Sequence, residues 1–321
     1  MTGTDTKDYK TLPGSDLPIV GLIHLLILYV AWGSTYLAIR IAVDPVDGFP
    51  PFFLGMIRVF PAGVILLSLQ KLRGGKILPT RSELYLLMAT GVLMWVGGNG
   101  LVNWAEQRAD SGFSALIVGS MPIYVALLEA VIDRRSPSFR LIGGLVVGFA
   151  GLVVLSYPVL REGSTGDLLS VIALFMAPLF WSIGMILLAR RPVKLGSLAI
   201  SGWQQLFGSV GFLVFHLVVA EPIRIPGTTA WLAYGYLVVA GSLLAYTSLM
   251  IALRILPASL VATYAYVNPV IAVFLGWLIL REELTVWTIA GAVLVLLGVG
   301  VVFEDRRRRN NAARKAAAGH P

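Results

Sequence analysis

No cysteine stands anywhere in the 321-residue chain, which excludes disulfides, a thiolate nucleophile and a cysteine-held metal. Charge is nearly as scarce. Asp, Glu, Lys and Arg make up only 13% of the residues, roughly half the share found in a soluble domain. Histidine occurs three times, and no histidine or carboxylate spacing suggests a metal site. There is no Walker sequence, so ATP is not expected to drive the protein directly. Paired aspartates, a His-Glu metal motif and a Ser–His constellation are all missing at helical depth. Neither a cofactor nor an enzymatic activity is therefore expected.

What fills the chain instead is apolar sequence, 57% of all residues, with a mean hydropathy of +0.82. It is gathered into ten runs at 19–43, 52–69, 84–105, 113–132, 141–157, 168–188, 198–220, 230–253, 259–280 and 286–303. Each is close to the roughly 17–25 helical residues that cross a hydrocarbon core. The pattern predicts an all-α polytopic membrane protein of ten transmembrane helices, with no room for a soluble domain. Residues 1–18 are polar and read as a disordered N-terminus. The first run is too long for a signal-peptide core and stays as a membrane helix.

The net charge of +8 does not point to nucleic acid, because the basic residues sit in short connections. Counted on alternate sides of the ten runs, Lys and Arg number 19 against 5, with Arg58 inside the second run. That bias places both termini in the cytoplasm. Arg306–Arg309, in a basic tail over 304–321, reads as an anchor to lipid headgroups.

The chain also repeats itself. A slide of 147 residues lays Pro122 on Pro269, Arg134 on Arg281, Gly144 on Gly291 and Gly151 on Gly298. A slide of 149 lays Trp32 on Trp181. Two halves, 19–157 and 168–303, then hold five helices each. Five is odd, so the halves cross in opposite senses. Inverted repeats with helices broken near the midplane are an architecture of secondary transporters.

Polar residues inside the runs mark candidate sites. Trp32-Gly-Ser-Thr-Tyr36 lies near the middle of the first run, about 20 Å deep at about 1.5 Å per residue. It admits two readings, a packing face built on small residues or a cavity wall formed by Trp32 and Tyr36. Asn99, Asn103 and Glu106 share one helical face beside three loosening glycines. Asn99 is the deeper hydrogen-bonding candidate, while Glu106 is either a solvated helix end or a coupling group. Glu129 is either a coupling or gating group or the partner of a nearby base. Ser242, Tyr246 and Met250 form a stripe at helical spacing. Tyr264 and Asn268 share a face just before Pro269, and Met121 precedes Pro122. The two prolines are expected to break their helices. Gly144, Gly148 and Gly151, with Gly291 and Gly298, read as packing seams.

On Trp32-Gly-Ser-Thr-Tyr36, Gly98-Asn-Gly100 with Ala105-Glu106, Tyr264-Ala-Tyr-Val-Asn-Pro269 and Leu280-Arg-Glu-Glu283, the chain resembles the drug/metabolite transporter superfamily. Within it, the ten-helix EamA-type bacterial inner-membrane exporters are the nearest branch. The resemblance implies export of amino acids or related small metabolites through a cavity lined by helices 1, 3, 4, 6, 8 and 9. It supports Trp32, Tyr36, Asn99, Tyr246, Tyr264 and Asn268 as substrate contacts, with Trp181 as the repeat partner of Trp32. The related four-helix multidrug pumps rely on a glutamate in their first helix, and none stands here. A lipid or lipid-linked flippase is the alternative reading. Partners expected are a small metabolite and membrane lipids, with the oligomeric state left open. The absence of cysteine makes the inversion directly testable: Arg134→Cys and Arg281→Cys should label with an impermeant maleimide from opposite membrane faces. Labelling of both from one face would overturn the inverted arrangement.

Overall fold

A computed structural model of the protein describes residues 18–44, 46–105, 107, 111–134, 136–162, 168–222, 224–275, 277–278 and 284–318. Three expectations fall outside them: the N-terminus over 1–17, Glu106 and the Leu280–Glu283 motif. The described chain folds as ten helical rods. They are α1 (Ile19–Ala42), α2 (Pro51–Leu72), α3 (Arg81–Ala105), α4 (Ser111–Val118 and Met121–Asp133) and α5 (Phe139–Glu162). The second half repeats the series as α6 (Leu168–Arg190), α7 (Ser197–Val219), α8 (Thr228–Ile255), α9 (Ala258–Val261 and Tyr264–Leu275) and α10 (Val286–Ala318). Among the described residues, eight helices are long and apolar enough to cross a membrane, and α1 and α9 add shorter apolar stretches. The basic tail does not leave the fold at Phe303, because α10 runs on through Arg306–Arg309.

The rods pair across the two halves. α1 lies on α8 and α9, and α6 lies on α3 and α4, while α2 packs along α7 and α5 along α10. Exchanging each helix with its counterpart five places on leaves these principal contacts unchanged. The core is thus the interface between the halves, and neither half buries its apolar surface alone. At α5 and α10 the seam is made by repeat-related glycines. A Cβ on Gly298 would overlap the backbone of Gly148, and one on Gly291 the backbone of Leu155. Glycine is needed there because backbone meets backbone.

Local chemistry sets the helix ends. Thr80 and Glu83 form a capping box at the start of α3, with Thr80 N–H donating to Glu83 Oε2 at 2.8 Å. Pro51 opens α2, and its first free amides, Phe52 N–H and Phe53 N–H, donate to the Glu221 carboxylate at 2.9 Å each. α7 ends on Ala220 in the left-handed region. Two interruptions matter more. Val92–Gly100 in α3 and Leu237–Ala245 in α8 are wound as π-helix, an offset of 145 residues between first positions. Such wide turns are rare and leave backbone carbonyls free for other partners.

Pro122 sits at the start of the second segment of α4, next to the interruption at Gly119–Ser120. Pro269 does not break its helix. It lies inside Tyr264–Leu275, and α9 is interrupted earlier, at Ala262–Thr263. There the Thr263 hydroxyl donates back to Leu260 C=O at 2.6 Å and competes with the regular ladder. A Gly298→Ile chain should lose about 1–3 kcal/mol through overpacking of the α5–α10 seam. The check is a lower melting temperature in detergent, with Gly300→Ile as control, since no atom lies within 4 Å of a Cβ at Gly300.

Candidate substrate cavity

Four aromatic side chains gather where the halves meet. Trp32 of α1 contacts Trp181 of α6 edge-on, with ring centroids 5.5 Å apart, and Tyr264 of α9 at 4.9 Å. Trp95 of α3 stands 6.3 Å from Trp181. Edge-to-face pairs of this kind contribute about 0.5–1.5 kcal/mol each beyond the area they bury. Glycines let the rings approach. A Cβ on Gly98 would come within 2.5 Å of the Trp181 ring, and one on Gly33 within 2.6 Å of Ile271. Trp32 is held by its indole N–H, which donates to Gly241 C=O at 3.2 Å, a carbonyl in the π-helical stretch of α8.

Above this cluster lies a cavity of about 710 Å³, counting the space at its mouth. Its deep wall is formed by Trp32, Trp95, Trp181, Tyr264 and Met121, with Ala177 and Pro178 beside them. Ile39, Val102 and Val118 line it nearer the ends of α1 and α3 and the start of α4. The space therefore opens toward the end of the bundle that carries the α1–α2 and α3–α4 connections. Its polar wall is short: Thr35, Asn99, Asn268 and Arg58. The groups around Asn268 set its amide so that Nδ2 donates to the carbonyls of Tyr264 (2.9 Å) and Tyr29 (3.3 Å). That leaves the amide oxygen for another donor. Tyr264 O–H donates to Met121 Sδ at 3.1 Å, joining α9 to α4 across the cavity floor.

Of the residues singled out from the sequence, the structure brings Trp32, Asn99, Met121, Trp181, Tyr264 and Asn268 to this one wall. Asn103 and Tyr246 are not on it, and both need correction. Asn103 is 1% exposed and donates from Nδ2 to Asn99 Oδ1 at 3.3 Å, so it supports the lining residue from behind. Tyr246 is fully buried against Trp95, ring centroids 4.7 Å apart, with its hydroxyl donating to Gln204 Oε1 at 3.1 Å. A phenol that has given its one proton to Gln204 and is sealed between α3 and α7 does not reach a ligand in the cavity. α8 accordingly stays behind the wall, and α2 takes a place on it through Arg58. The side chain of Tyr36 lies outside the described residues. Glu129 is remote from the cavity and accepts from Arg306 Nη2 at 2.6 Å. The residues that sequence reasoning passed over are Arg58, Trp95 and Thr35. Arg58 did carry a signal, a lone charge in the middle of an apolar run.

The profile of the EamA-like transporter family matches residues 19–157 and 168–304, once per half. The chain is 31% identical over 262 residues to the Escherichia coli K12 protein named "Uncharacterized inner membrane transporter YedA", a match covering 81% of this chain and 82% of the relative. It is 23% identical over 296 residues to the Bacillus subtilis protein named "Uncharacterized transporter YoaV", covering 91% and 98% of the two. A solved crystal structure superposes with a TM-score of 0.73 at 19% identity, covering 91% of this chain and 97% of the other, which speaks to the fold alone. Two profile matches spanning nearly the whole membrane region, around a cavity that sits between the matched halves, settle the assignment: the chain belongs to the EamA-like transporter family.

Proposed function

We propose that the protein is a secondary exporter of amino acids or related small metabolites, moving them across the cytoplasmic membrane by alternating access. The observation that carries this reading is the aromatic-walled cavity at the interface of the two halves, whose lining extends toward the end that carries the α1–α2 and α3–α4 connections. Aromatic walls with a few placed polar groups suit a small organic cargo. By the distribution of Lys and Arg, the open end faces away from the cytoplasm, and both termini lie inside. The structure then corresponds to an outward-facing state.

The opposite end is tied shut by polar links between helices. Arg306 of α10 bonds Glu129 of α4 at 2.6 Å and also reaches the Ser259 hydroxyl of α9. Ser138 donates to Asp305 at 2.5 Å, and Arg190 of α6 forms a two-pronged pair with Asp133 of α4, 2.5 and 2.8 Å. Forked arginine–carboxylate bonds fix geometry as well as charge. In this reading they latch the cytoplasmic entrance, and their opening accompanies cargo entry. A flippase would need a cavity rim offering basic groups to headgroups. Among the described residues that line the cavity the one basic side chain is Arg58, which at 3% exposure belongs to the cavity wall and not to a rim open to headgroups.

Two experiments test the proposal. Cells overexpressing the wild type should gain resistance to at least one toxic amino-acid or metabolite analogue, and Asn268→Ala should remove it with membrane insertion unchanged. Full resistance in that variant would sink the cavity assignment. The latch is read separately, with a cysteine introduced at Val125, which is fully buried one turn from both Met121 and Glu129. Its labelling from the cytoplasmic face should be slow and rise several-fold when Arg306→Gln is added. An unchanged rate would show that these bonds do not hold the entrance.

A further inference from the structure

Arg58 is the odd residue of the cavity. It projects from α2 about two turns in from that helix's N-terminal end, is 3% exposed, and forms no ion pair among the described residues. Its Nε donates to Ser242 Oγ at 3.0 Å, and its guanidinium lies 5.6 Å from the centre of the Trp95 ring. Nη1 is buried and finds no acceptor among the described residues. Among the described residues that line the cavity there is no Asp or Glu. A second donor on the same wall is also idle: Trp181 Nε1 is buried and has no partner among the described residues. An uncompensated buried cation is expensive, and a chain tolerates one where something supplies the missing charge.

We infer that Arg58 is the charge-reading residue of the cavity, and that the cargo presents a carboxylate to its free Nη1 edge. This rests on the exporter reading and names the cargo's chemistry. A carboxylate is planar, carries acceptors only, and matches the guanidinium edge. Binding there neutralises Arg58 and gives idle donors an acceptor, so closing the cavity no longer seals a naked charge. A purely cationic cargo does the reverse. It brings a second positive charge into a wall whose described residues include no acid, and the protein discriminates against it. The apolar remainder of the cargo lies on the rings of Trp32, Trp181 and Tyr264. An ammonium group on the same cargo is accommodated by ring faces, which attract cations, and by the amide oxygen of Asn268.

The test uses purified full-length protein in detergent, titrated with acid and amide pairs of rising size. Acetate against acetamide, butyrate against butyramide, and 3-phenylpropionate against 3-phenylpropionamide serve, read by tryptophan fluorescence and by thermal shift. At least one acid should bind tenfold or more tightly than its amide. Arg58→Gln should bind that acid no better than the amide. Arg58→Lys, which keeps the charge and loses the fork, should retain part of the preference. Wild-type protein that prefers no acid over its amide overturns the inference without any variant. A preference that survives in Arg58→Gln removes Arg58 from the role. These readings are made without transport, so they fail independently of the exporter proposal, which fails when overexpression confers no resistance.

Discussion

Hydrocarbon offers no hydrogen bonds, so a polar group carried to membrane depth needs a partner within the protein, and in this chain many of those partners stand on another helix. That demand organises the bundle. Trp32 of α1 finds Gly241 C=O of α8 at 3.2 Å, and Gln204 of α7 finds the Thr90 hydroxyl of α3 at 2.7 Å. Tyr29 of α1 meets Thr263 of α9 at 2.6 Å, and Tyr266 donates to Leu145 C=O of α5 at 3.0 Å. All four of these bonds join one half of the chain to the other. A polar residue in either half is therefore costly until the second half is in place, which makes the interface the cooperative unit of the fold.

The same interface serves two opposed needs. Where α5 meets α10, glycines bring backbone against backbone and leave no space. In the centre, rings of Trp32, Trp95, Trp181 and Tyr264 prop the helices apart and leave a cavity. Small residues at the periphery and large ones at the centre produce a closed seam beside an open chamber. The π-helical stretches of α3 and α8 fit this division, since a wide turn frees carbonyls such as that of Gly241 to hold a cavity ring in place.

How much of this was legible depended on whether a feature is local. Ten runs and their duplication are written in apolar spacing and in Pro122 against Pro269, and the helices follow them. Trp32, Asn99, Trp181, Tyr264 and Asn268 were visible as polar or aromatic residues at mid-membrane. What periodicity could not supply was which side of a helix faces the cavity. Tyr246 and Asn103 carry the same signal as Tyr264 and Asn99, yet pack one layer back because Gln204 and Asn99 satisfy them there. Pro269 illustrates the limit for backbone: α9 absorbs the proline and breaks instead at Ala262–Thr263, where a threonine hydroxyl competes for the ladder. Arg58 stood out as a charge inside an apolar run, but nothing in the spacing said that it would reach the cavity wall.

Symmetry explains why the described cavity wall holds Arg58 and no second arginine. The 147-residue slide that matches the prolines lays Arg58 of α2 on Gln205 of α7. α2 and α7 pack on each other, so equivalent positions on them meet near the axis relating the halves. Both side chains dock on the same residue, Arg58 Nε on Ser242 Oγ at 3.0 Å and Gln205 Nε2 on Ser242 C=O at 3.2 Å. An arginine at both positions would set two guanidinium groups against the same Ser242, where like charges repel. Near a symmetry axis a duplicated charge repels its own copy, and only one half can keep it. The neutral amide of Gln205 retains the hydrogen bond and gives up the charge. The aromatic floor can stay paired, Trp32 against Trp181, because rings gain from meeting each other. The charge cannot, so the chamber is symmetric in its apolar walls and one-sided in its electrostatics.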